Sequence, residues 1–257
     1  MLKKSDFIIP DWPAPANVHS LQTTRHGGVS VGPYASLNLG SHVQDEPLHV
    51  AHNRQLMSQF VPSEPVWLNQ VHGIHVVDAG NTDCVPDADA SFTTRHNTVC
   101  VTMTADCLPI LLCDTAGTVV ASIHAGWRSL CDGVVEATVA KILISNAAVA
   151  SDLMAWLGPA IGPTAFEVGN EVKAQFMAED AQAESAFQLQ ANDKWLGNIY
   201  SLATQRLNKL GVSQIYGGQQ EQFCTVTDNA RFFSFRRDNV TGRMATLIWL
   251  TAPKSVL

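Results

Sequence analysis

The stretch that decides the fold is TVCVTMTADCLPILLCDTAGTVVASIHAG, residues 98–126. It begins with an apolar strand that ends near Thr104, breaks at residues 105–109, and continues as a second apolar strand. A turn at residues 114–117 separates the second strand from a third, TVVASIHAG. This pattern predicts three successive strands in the sheet core of the protein.

Helical patterns follow this stretch. Residues 128–145, RSLCDGVVEATVAKILIS, predict an amphipathic helix whose apolar side chains share one face. After a predicted strand in LMAWL, residues 153–157, two more helices are predicted over residues 168–177 and 199–210, and Gly211 suits the C-cap of the second. The chain then predicts strands over residues 232–235 and 243–250.

The segment before the stretch is more irregular. A helix is predicted to begin at a cap on Asp45, with Pro47 in its first turn. Its expected buried side chains recur every four residues: Leu48, His52, Leu56 and Phe60. Residues 66–80, VWLNQVHGIHVVDAG, predict two short strands around Gly73.

Strands and helices thus alternate irregularly, and the sequence contains no internal repeat and no linker. This order predicts a single mixed α/β (α+β) domain over residues 1–257, with a mixed β-sheet core flanked by helices. The proline-rich residues 1–18 are predicted to wrap over the surface. Residues 178–196, rich in Ala, Gln and Glu, are predicted to form a surface insertion.

Composition narrows the class of protein. Of the 257 residues, 46% are hydrophobic and 15% charged, and 16 Lys and Arg against 23 Asp and Glu give a net charge of −7. This composition is that of a folded protein, and the acidic balance argues against a nucleic-acid partner. No apolar run reaches the ~20 residues of a membrane span, and the N-terminus lacks the apolar core of a signal peptide. A cytoplasmic location is expected, and the composition indicates no oligomeric state.

The six cysteines do not form a recognisable framework. No Cys-x-x-Cys pair is present, which argues against a zinc ribbon and a thioredoxin-type site. A chain of this length does not need disulfides to fold. Most of the cysteines are therefore expected to be small buried side chains.

Three short segments each place a metal-type ligand at the end of a predicted strand. They are residues 69–73, 104–109 and 123–127, which contain His72, Cys107 and His124. Strand ends can bring side chains together on a rigid frame. Two imidazoles and one thiolate suit zinc with an open fourth position. Their spacing of 35 and 17 residues matches no metal motif, so two ordinary histidines and a buried cysteine remain the alternative.

A glycine-rich segment, RHGGVSVGPYASLNLG at residues 25–40, predicts a structured loop. Its backbone N–H groups could bind an anion together with Arg25, although an ordinary irregular loop is equally consistent with the pattern. It matches neither a P-loop nor a dinucleotide fingerprint. Residues in or near this loop are candidates for phosphate or pocket contacts, and the scarce arginines elsewhere are candidates for an anionic group: Arg25, His26, Asn38, His42, Arg54, Arg128, Arg236 and Arg237.

Six ordered blocks resemble the YfiH family: TTRHGGVSVGPYASLNLG, WLNQVHG, TADCLPILL, HAGWRSL, LGPAIGPTAFEVG and SFRRDNVTGR. They extend from about Leu21 to about Leu250. One departure is Ser129, where the family often has glycine. Members are variously named laccase-domain protein or polyphenol oxidase, purine nucleoside phosphorylase, and peptidoglycan editing factor.

The resemblance implies a YfiH-like fold and one bound metal, most often zinc with copper possible, held by His72, Cys107 and His124. It also implies phosphorolysis of adenosine, inosine and methylthioadenosine, together with adenosine deamination and a role in peptidoglycan editing. The expected partners are purine nucleosides and phosphate. For deamination, activated water attacks C6 of adenine while Asp106 or Glu167 moves protons. For phosphorolysis, Arg25, Asn38 and Arg54 are the candidates to bind phosphate.

Three alternatives stay open at this stage. Copper-dependent polyphenol oxidation requires many imidazoles, whereas the chain has nine histidines and no His-x-His pair, which argues against multicopper chemistry. A cysteine hydrolase would use Cys107 as nucleophile and His124 as base, which excludes simultaneous metal binding by the thiolate. A non-enzymatic module that binds a cell-wall precursor or a partner enzyme is the third.

Overall fold

The computed structural model describes residues 2–82, 84–145, 148–218 and 222–252, and the other positions of the predicted 1–257 domain lie outside the described residues. The strands are β1 Phe7–Ile8, β2 Val18–Thr23, β3 Val76–Asp78, β4 Ala90–Thr93, β5 Val99–Thr104, β6 Leu108–Asp114, β7 Val120–Ala125, β8 Leu153–Leu157, β9 Glu167–Val168, β10 Phe187–Leu189, β11 Trp195–Gly197, β12 Gln214–Gly217 and β13 Met244–Leu250. The α-helices are α1 Pro47–Ser58, α2 Trp127–Asp132, α3 Val134–Ser145, α4 Asn170–Glu179, α5 Ile199–Lys209 and α6 Phe235–Asp238.

A six-stranded mixed sheet in the order β12-β8-β6-β7-β4-β3 lies at the centre. The four inner strands pair antiparallel, and the outer pairs β12–β8 and β3–β4 are parallel. The central pair, β6 and β7, comes from the stretch at residues 98–126. The predicted mixed α/β domain with a mixed sheet core is confirmed.

Both faces of this sheet are buried, as the side chains of β6 illustrate. Leu108, Ile110 and Leu112 belong to one hydrophobic cluster, whereas Leu111 and Cys113 belong to another. Successive side chains of a strand point to opposite faces, so a strand that is covered on both sides needs an unbroken apolar sequence. This requirement explains the continuous LPILLC run.

A second sheet covers one face. It is antiparallel, in the order β1-β2-β13-β5, and its strands β5 and β13 contact β7. The first strand of the 98–126 stretch therefore belongs to this sheet, and residues 105–107 carry the chain across to the central one, so the break is two residues shorter than predicted. That crossing fixes the position of Cys107 at an edge where the two sheets meet.

Helices α2, α3 and α5 cover the opposite face of the central sheet. The predicted helix over 128–145 is two helices, because Gly133 takes a φ of 102° and ends α2. A small antiparallel sheet, β10-β11-β9, lies beside α4. Within the part of the chain that the structure describes, no helix has the length and apolar character needed to cross a bilayer.

The face that α1 buries differs from the predicted one. Its N-cap is Glu46 rather than Asp45, and Leu48 is 76% exposed. The buried residues are Val50, Asn53 and Met57. Asn53 bonds to the glycine-rich loop through Val29 N, Ser30 Oγ, Ser36 O and Asn38 O. A polar anchor, not apolar periodicity, therefore sets the orientation of this helix.

Three further segments depart from expectation. Residues 1–18 contribute β1 as well as covering the surface, and Leu2 and Phe7 are buried. Residues 178–196 are more than a surface insertion, since they form β10 and bury Phe187 in the main core. The predicted strand at residues 232–235 is wrong, because Phe232 and Phe233 are buried without strand pairing. In each case, tertiary packing outweighs the local sequence pattern.

Candidate metal centre and its cavity

The three predicted ligands, His72, Cys107 and His124, meet at one end of the central sheet. Their ligand atoms all lie within 4.8 Å of one another, and Cys107 Sγ is 3.6 Å from His72 Nε2. The imidazole rings of His72 and His124 have centroids 4.7 Å apart. The fold thus joins residues that are separated by 35 and 17 positions in the sequence.

The pairing of β6 with β7 explains this convergence. Pro109 lies opposite His124 and Leu108 lies opposite Ala125. Cys107 directly precedes Leu108, so it lies beside the end of β7. His124 is buried, Cys107 is partly exposed and His72 is exposed, so the cluster opens to solvent on one side.

Two residues at the cluster have a left-handed backbone. The φ angles are 59° at His72 and 93° at Asp106. This conformation costs a non-glycine residue about 1–2 kcal/mol, so hydrogen bonds from the surrounding structure have to maintain it. The peptide N–H of His72 donates to Asp89, and both carboxylate oxygens of Asp106 accept hydrogen bonds.

Asp89 is a site residue that the sequence interpretation missed. It is fully buried, and Oδ1 accepts from His124 Nδ1 at 2.7 Å and from His72 N at 3.0 Å. Oδ2 accepts from Gly73 N at 2.6 Å and Val71 N at 3.2 Å. The sequence signal was present, because Asp89 directly precedes strand β4 as Cys107 directly precedes β6.

The charges of the cluster support each other. Burial alone raises the pKa of Cys107, but the charge of His124 and hydrogen bonds from both histidines outweigh it and lower the pKa to about 6. Burial lowers the pKa of His124, but the Cys107 thiolate and Asp89 outweigh that effect and raise it to about 9. The metal-free cluster therefore holds a thiolate beside an imidazolium at neutral pH.

We expect this charge state to be visible in the alkylation of metal-free protein. The thiolate is the reactive form of cysteine, so the rate at Cys107 should rise with pH to a midpoint near 6. His124→Ala removes the favourable charge and should shift that midpoint upward. The measurement is the rate of iodoacetamide labelling of the Cys107 peptide, followed by mass spectrometry across pH. A wild-type midpoint equal to that of the variant would contradict the coupling.

The donor set fits a tetrahedral zinc ion. Zinc lies about 2.3 Å from sulfur and about 2.0 Å from nitrogen, so two such ligands at a tetrahedral angle are about 3.5 Å apart. The observed separation of Cys107 Sγ and His72 Nε2 is 3.6 Å. Three ligands on one side and solvent on the other leave one coordination position for water or substrate.

A cavity of about 250 Å³ adjoins the cluster at Cys107, the one of the three ligands among its lining residues. Cys107 and Asp106 form its floor, and the aromatic rings of Trp127, Phe166 and Phe235 form much of its wall. The other lining residues are Ala105, Arg128, Ile161, Ile199 and Arg236. Apolar walls with a few polar groups are typical of small-molecule sites, whose volumes begin at about 300 Å³. Two larger cavities, of about 460 and about 670 Å³, are lined by none of the three ligands.

The two candidate carboxylates occupy different places. Asp106 lines the cavity, and its oxygens accept from Thr225 Oγ1 and from Arg236 N, each at 2.6 Å. Glu167 is exposed on β9, and its backbone oxygen accepts from the Arg236 guanidinium at 3.0 Å. Asp106 is therefore beside the cluster with its oxygens engaged, whereas Glu167 is not among the residues lining the cavity.

Arg25, Asn38 and Arg54 support the glycine-rich segment from within. Arg25 donates to Ala35 O and Asn229 O, and Arg54 donates twice to Leu39 O. Asn38 is fully buried with its amide group engaged. The predicted loop is thus held by side chain to backbone bonds.

Arg243 brings positive charge towards the cluster, and that charge helps to keep the nearby His42 imidazole neutral. Burial lowers the pKa of Arg243, and the negative charges of Cys107 and Asp106 oppose that shift. Partial burial, and then the charges of Arg243, Arg54 and His124, lower the pKa of His42. Asn38 Oδ1 accepts from the backbone N–H of Arg243 at 2.8 Å, which links the glycine-rich segment to this arginine.

Comparison with known proteins shows to which domain family the chain belongs. Residues 19–251 match the family described as "Multi-copper polyphenol oxidoreductase laccase", a laccase-like domain. The match covers the whole central sheet and all three candidate ligands. More particularly, the chain belongs to the YfiH family, as its similarity to individual members shows.

Three relatives illustrate that similarity. The chain is 53% identical over 249 residues to "Purine nucleoside phosphorylase YfiH" of Escherichia coli (strain K12), covering 96% of this chain and 99% of that protein. It is 50% identical over 245 residues to "Purine nucleoside phosphorylase PA4543" of Pseudomonas aeruginosa, covering 95% and 98%. The crystal structure of Neisseria meningitidis protein NMB0706 superposes with a TM-score of 0.91 at 47% identity, covering 96% and 100%.

The multicopper chemistry in the family description does not fit the number of ligands, although two imidazoles and a thiolate can bind copper as well as zinc. The described residues contain a single cluster of three or more His, Cys, Asp or Glu ligands, namely His72, Cys107 and His124. A multicopper oxidase needs a blue-copper centre and a separate three-copper cluster, which together require more imidazoles. The geometry is that of a one-metal site.

Proposed function

We propose that the protein is a metal-dependent purine nucleoside phosphorylase with one zinc ion on His72, Cys107 and His124. The observation that carries the proposal is a His/Cys/His cluster whose Cys107 lines an aromatic cavity, in a chain whose relatives are named purine nucleoside phosphorylases. The substrates proposed are adenosine, inosine and methylthioadenosine, each with phosphate. When bound, zinc supplies a Lewis acid and lowers the pKa of coordinated water.

The cavity suits a nucleoside by its chemistry. The rings of Trp127, Phe166 and Phe235 offer apolar faces against which a purine base can stack. Ile161 and Ile199 exclude water from one side of it. We propose that the base occupies the aromatic part and that the ribose lies toward Cys107.

Phosphate requires cations beside the ribose. We assign that role to Arg243, with Arg54 supporting it through its charge, while His42, whose pKa is lowered, would offer a neutral ring N–H. Arg25 and Asn38 would act through the loop they hold. In the reaction, a phosphate oxygen forms a bond to C1′ while the bond from C1′ to the base nitrogen breaks. The base leaves with the bonding electrons and takes up a proton, which yields free base and ribose 1-phosphate.

Deamination of adenosine is proposed as a second reaction of the same centre. It requires a group that moves protons between water and the leaving ammonia. Asp106 lines the cavity and is the candidate for this proton transfer. Its two oxygens already accept hydrogen bonds from Thr225 and Arg236. Asp89 is buried behind His124, so it would act only through that ring.

A cysteine hydrolase is the second candidate function, and one observation favours it. Asp89, His124 and Cys107 form a connected series in which a carboxylate orients an imidazole beside a thiolate. This is the arrangement of a nucleophile, base and orienting group. A thiolate that holds a metal is not a free nucleophile, so metal content separates the two functions.

The cellular proposals are a cytoplasmic location and a role in peptidoglycan editing. The first comes from the composition and the N-terminal sequence and the second from the family resemblance, and neither comes from the geometry of the site. A module that only binds a cell-wall precursor or partner enzyme would keep its cellular effect after His124→Ala. An enzyme would lose it.

The test is product analysis on purified protein whose metal content has been measured. Inosine with phosphate should give hypoxanthine and ribose 1-phosphate, adenosine should give adenine, and removal of zinc by a chelator should stop both reactions until zinc is restored. Inosine formed from adenosine would report deamination. Full turnover after complete chelation would overturn the metal mechanism, and free ribose in place of ribose 1-phosphate would overturn phosphorolysis.

A further inference from the structure

We propose that Asp89 is the positioning residue of the metal centre, fixing the loop of one histidine ligand and the ring of the other. The inference rests on the proposed metal site and extends it beyond the three ligands. Its basis is that one fully buried carboxylate accepts four hydrogen bonds, two on each oxygen.

Three of the four donors are consecutive backbone N–H groups. Val71 N, His72 N and Gly73 N all point at the carboxylate, at 3.2, 3.0 and 2.6 Å. Successive N–H groups form a concave site for an anion, and here the protein supplies the anion itself. This binding holds His72 in its left-handed conformation, with φ at 59°. Without it, the ligand loop would lose the interaction that offsets its backbone strain.

The fourth donor is the ring of His124. Asp89 Oδ1 is 2.7 Å from His124 Nδ1, so the proton of a neutral ring resides on Nδ1 and the lone pair on Nε2. Carboxylate to histidine contacts of this kind orient metal ligands, and their loss typically costs about 10–100-fold in metal affinity. The backbone adds to the restraint, because Asp89 O accepts from His124 N at 2.7 Å.

Only a group with acceptors alone satisfies this position. An asparagine at 89 presents an NH₂ group, which is a donor, in place of one oxygen. If this NH₂ group faces Val71 and Gly73, it meets two backbone N–H donors and forms no hydrogen bond with either. The loop that carries His72 then loses its restraint. If the NH₂ group faces His124, it forces the ring proton onto Nε2 and removes the lone pair that would bind metal.

The experiment compares Asp89→Asn with wild type and with Asp87→Asn. Asp87 is the matched control: it is exposed, two positions away, and bonded to Asn69 Nδ2 at 2.6 Å. Zinc affinity is measured by competition with a chromophoric chelator on metal-free protein, after circular dichroism has established that each variant is folded. Asp89→Asn should weaken zinc binding about 10–100-fold, and Asp87→Asn should leave it unchanged.

Each outcome has a separate meaning. Equal zinc affinity in wild type and Asp89→Asn would overturn the role of Asp89 while leaving the proposed function intact. Failure of wild type to bind zinc would overturn the metal centre and this role with it. If Asp89→Asn does not fold, nitrogen-15 NMR of zinc-loaded wild type decides. A His124 ring protonated at Nδ1 supports the inference, and one protonated at Nε2 overturns it.

Discussion

Cys107→Ala is expected to abolish zinc binding and to lower phosphorolysis by more than about 100-fold. Changes to residues that merely orient a metal ligand cost about 10–100-fold, and removal of a ligand should exceed that range. The remaining pair, His72 and His124, is a poor site for a structural or catalytic zinc ion, which takes at least three protein ligands. Zinc per chain and the rate of hypoxanthine release from inosine measure the two effects.

The control for this variant is Cys84→Ala. Cys84 is exposed and outside the cluster, so its replacement should change neither zinc content nor rate. Because Cys107 lies at the cavity floor and is partly exposed, its truncation should leave the fold intact. A Cys107→Ala protein that keeps one zinc per chain would overturn the ligand assignment. A Cys107→Ala protein that loses zinc but keeps full turnover would show that the metal is not needed for the reaction.

The sequence pattern correctly placed Cys107 and His124 at the ends of apolar strands, β6 and β7, but the strand predicted before His72 is absent, since residues 66–75 form only isolated bridges. Sequence alone could not show that β5 lies in a different sheet from β6 and β7. That arrangement depends on β13, which pairs with β5 from more than 130 positions away. The predicted break at residues 105–109 indicated where one strand ends and the next begins, but not that the next strand lies in a different sheet.

The roles of the arginines around the cluster were harder to predict, because they also depend on contacts between distant parts of the sequence. Arg25 and Arg54 lie in the glycine-rich segment or just after it, yet their guanidinium groups bond to backbone oxygens. Arg243, far away in the sequence, also donates to backbone oxygens, those of Thr241 and Gly242, yet its charge interacts with Cys107. An isolated arginine in a sequence does not reveal whether its partner will be a backbone carbonyl or a substrate. Only the folded contacts distinguish the two.

The second large effect is expected for Gly126→Ala, a substitution of a single methyl group at the entrance to α2. A Cβ at this position would lie 2.6 Å from His72 Cδ2 and 3.2 Å from Cys107 Sγ. The backbone itself accepts alanine, because φ is −63° and ψ is 158°. The methyl group must therefore displace the His72 ring, and the metal loses one ligand position. We expect zinc affinity and kcat/KM both to fall, the latter about 100-fold.

Gly73→Ala is the matched control, since it adds the same methyl group beside the same cluster. Its Cβ would meet its nearest neighbours, Asp89 Oδ2 and Val71 Cγ2, at 3.6 Å, an ordinary contact distance. Alanine at the N-cap also costs Gly126→Ala about 1 kcal/mol of stability, which the thermal unfolding of metal-free protein measures separately. The distinctive result is loss of zinc in a protein that remains folded. If Gly126→Ala binds zinc as tightly as Gly73→Ala does, then His72 does not need its observed place to hold the metal.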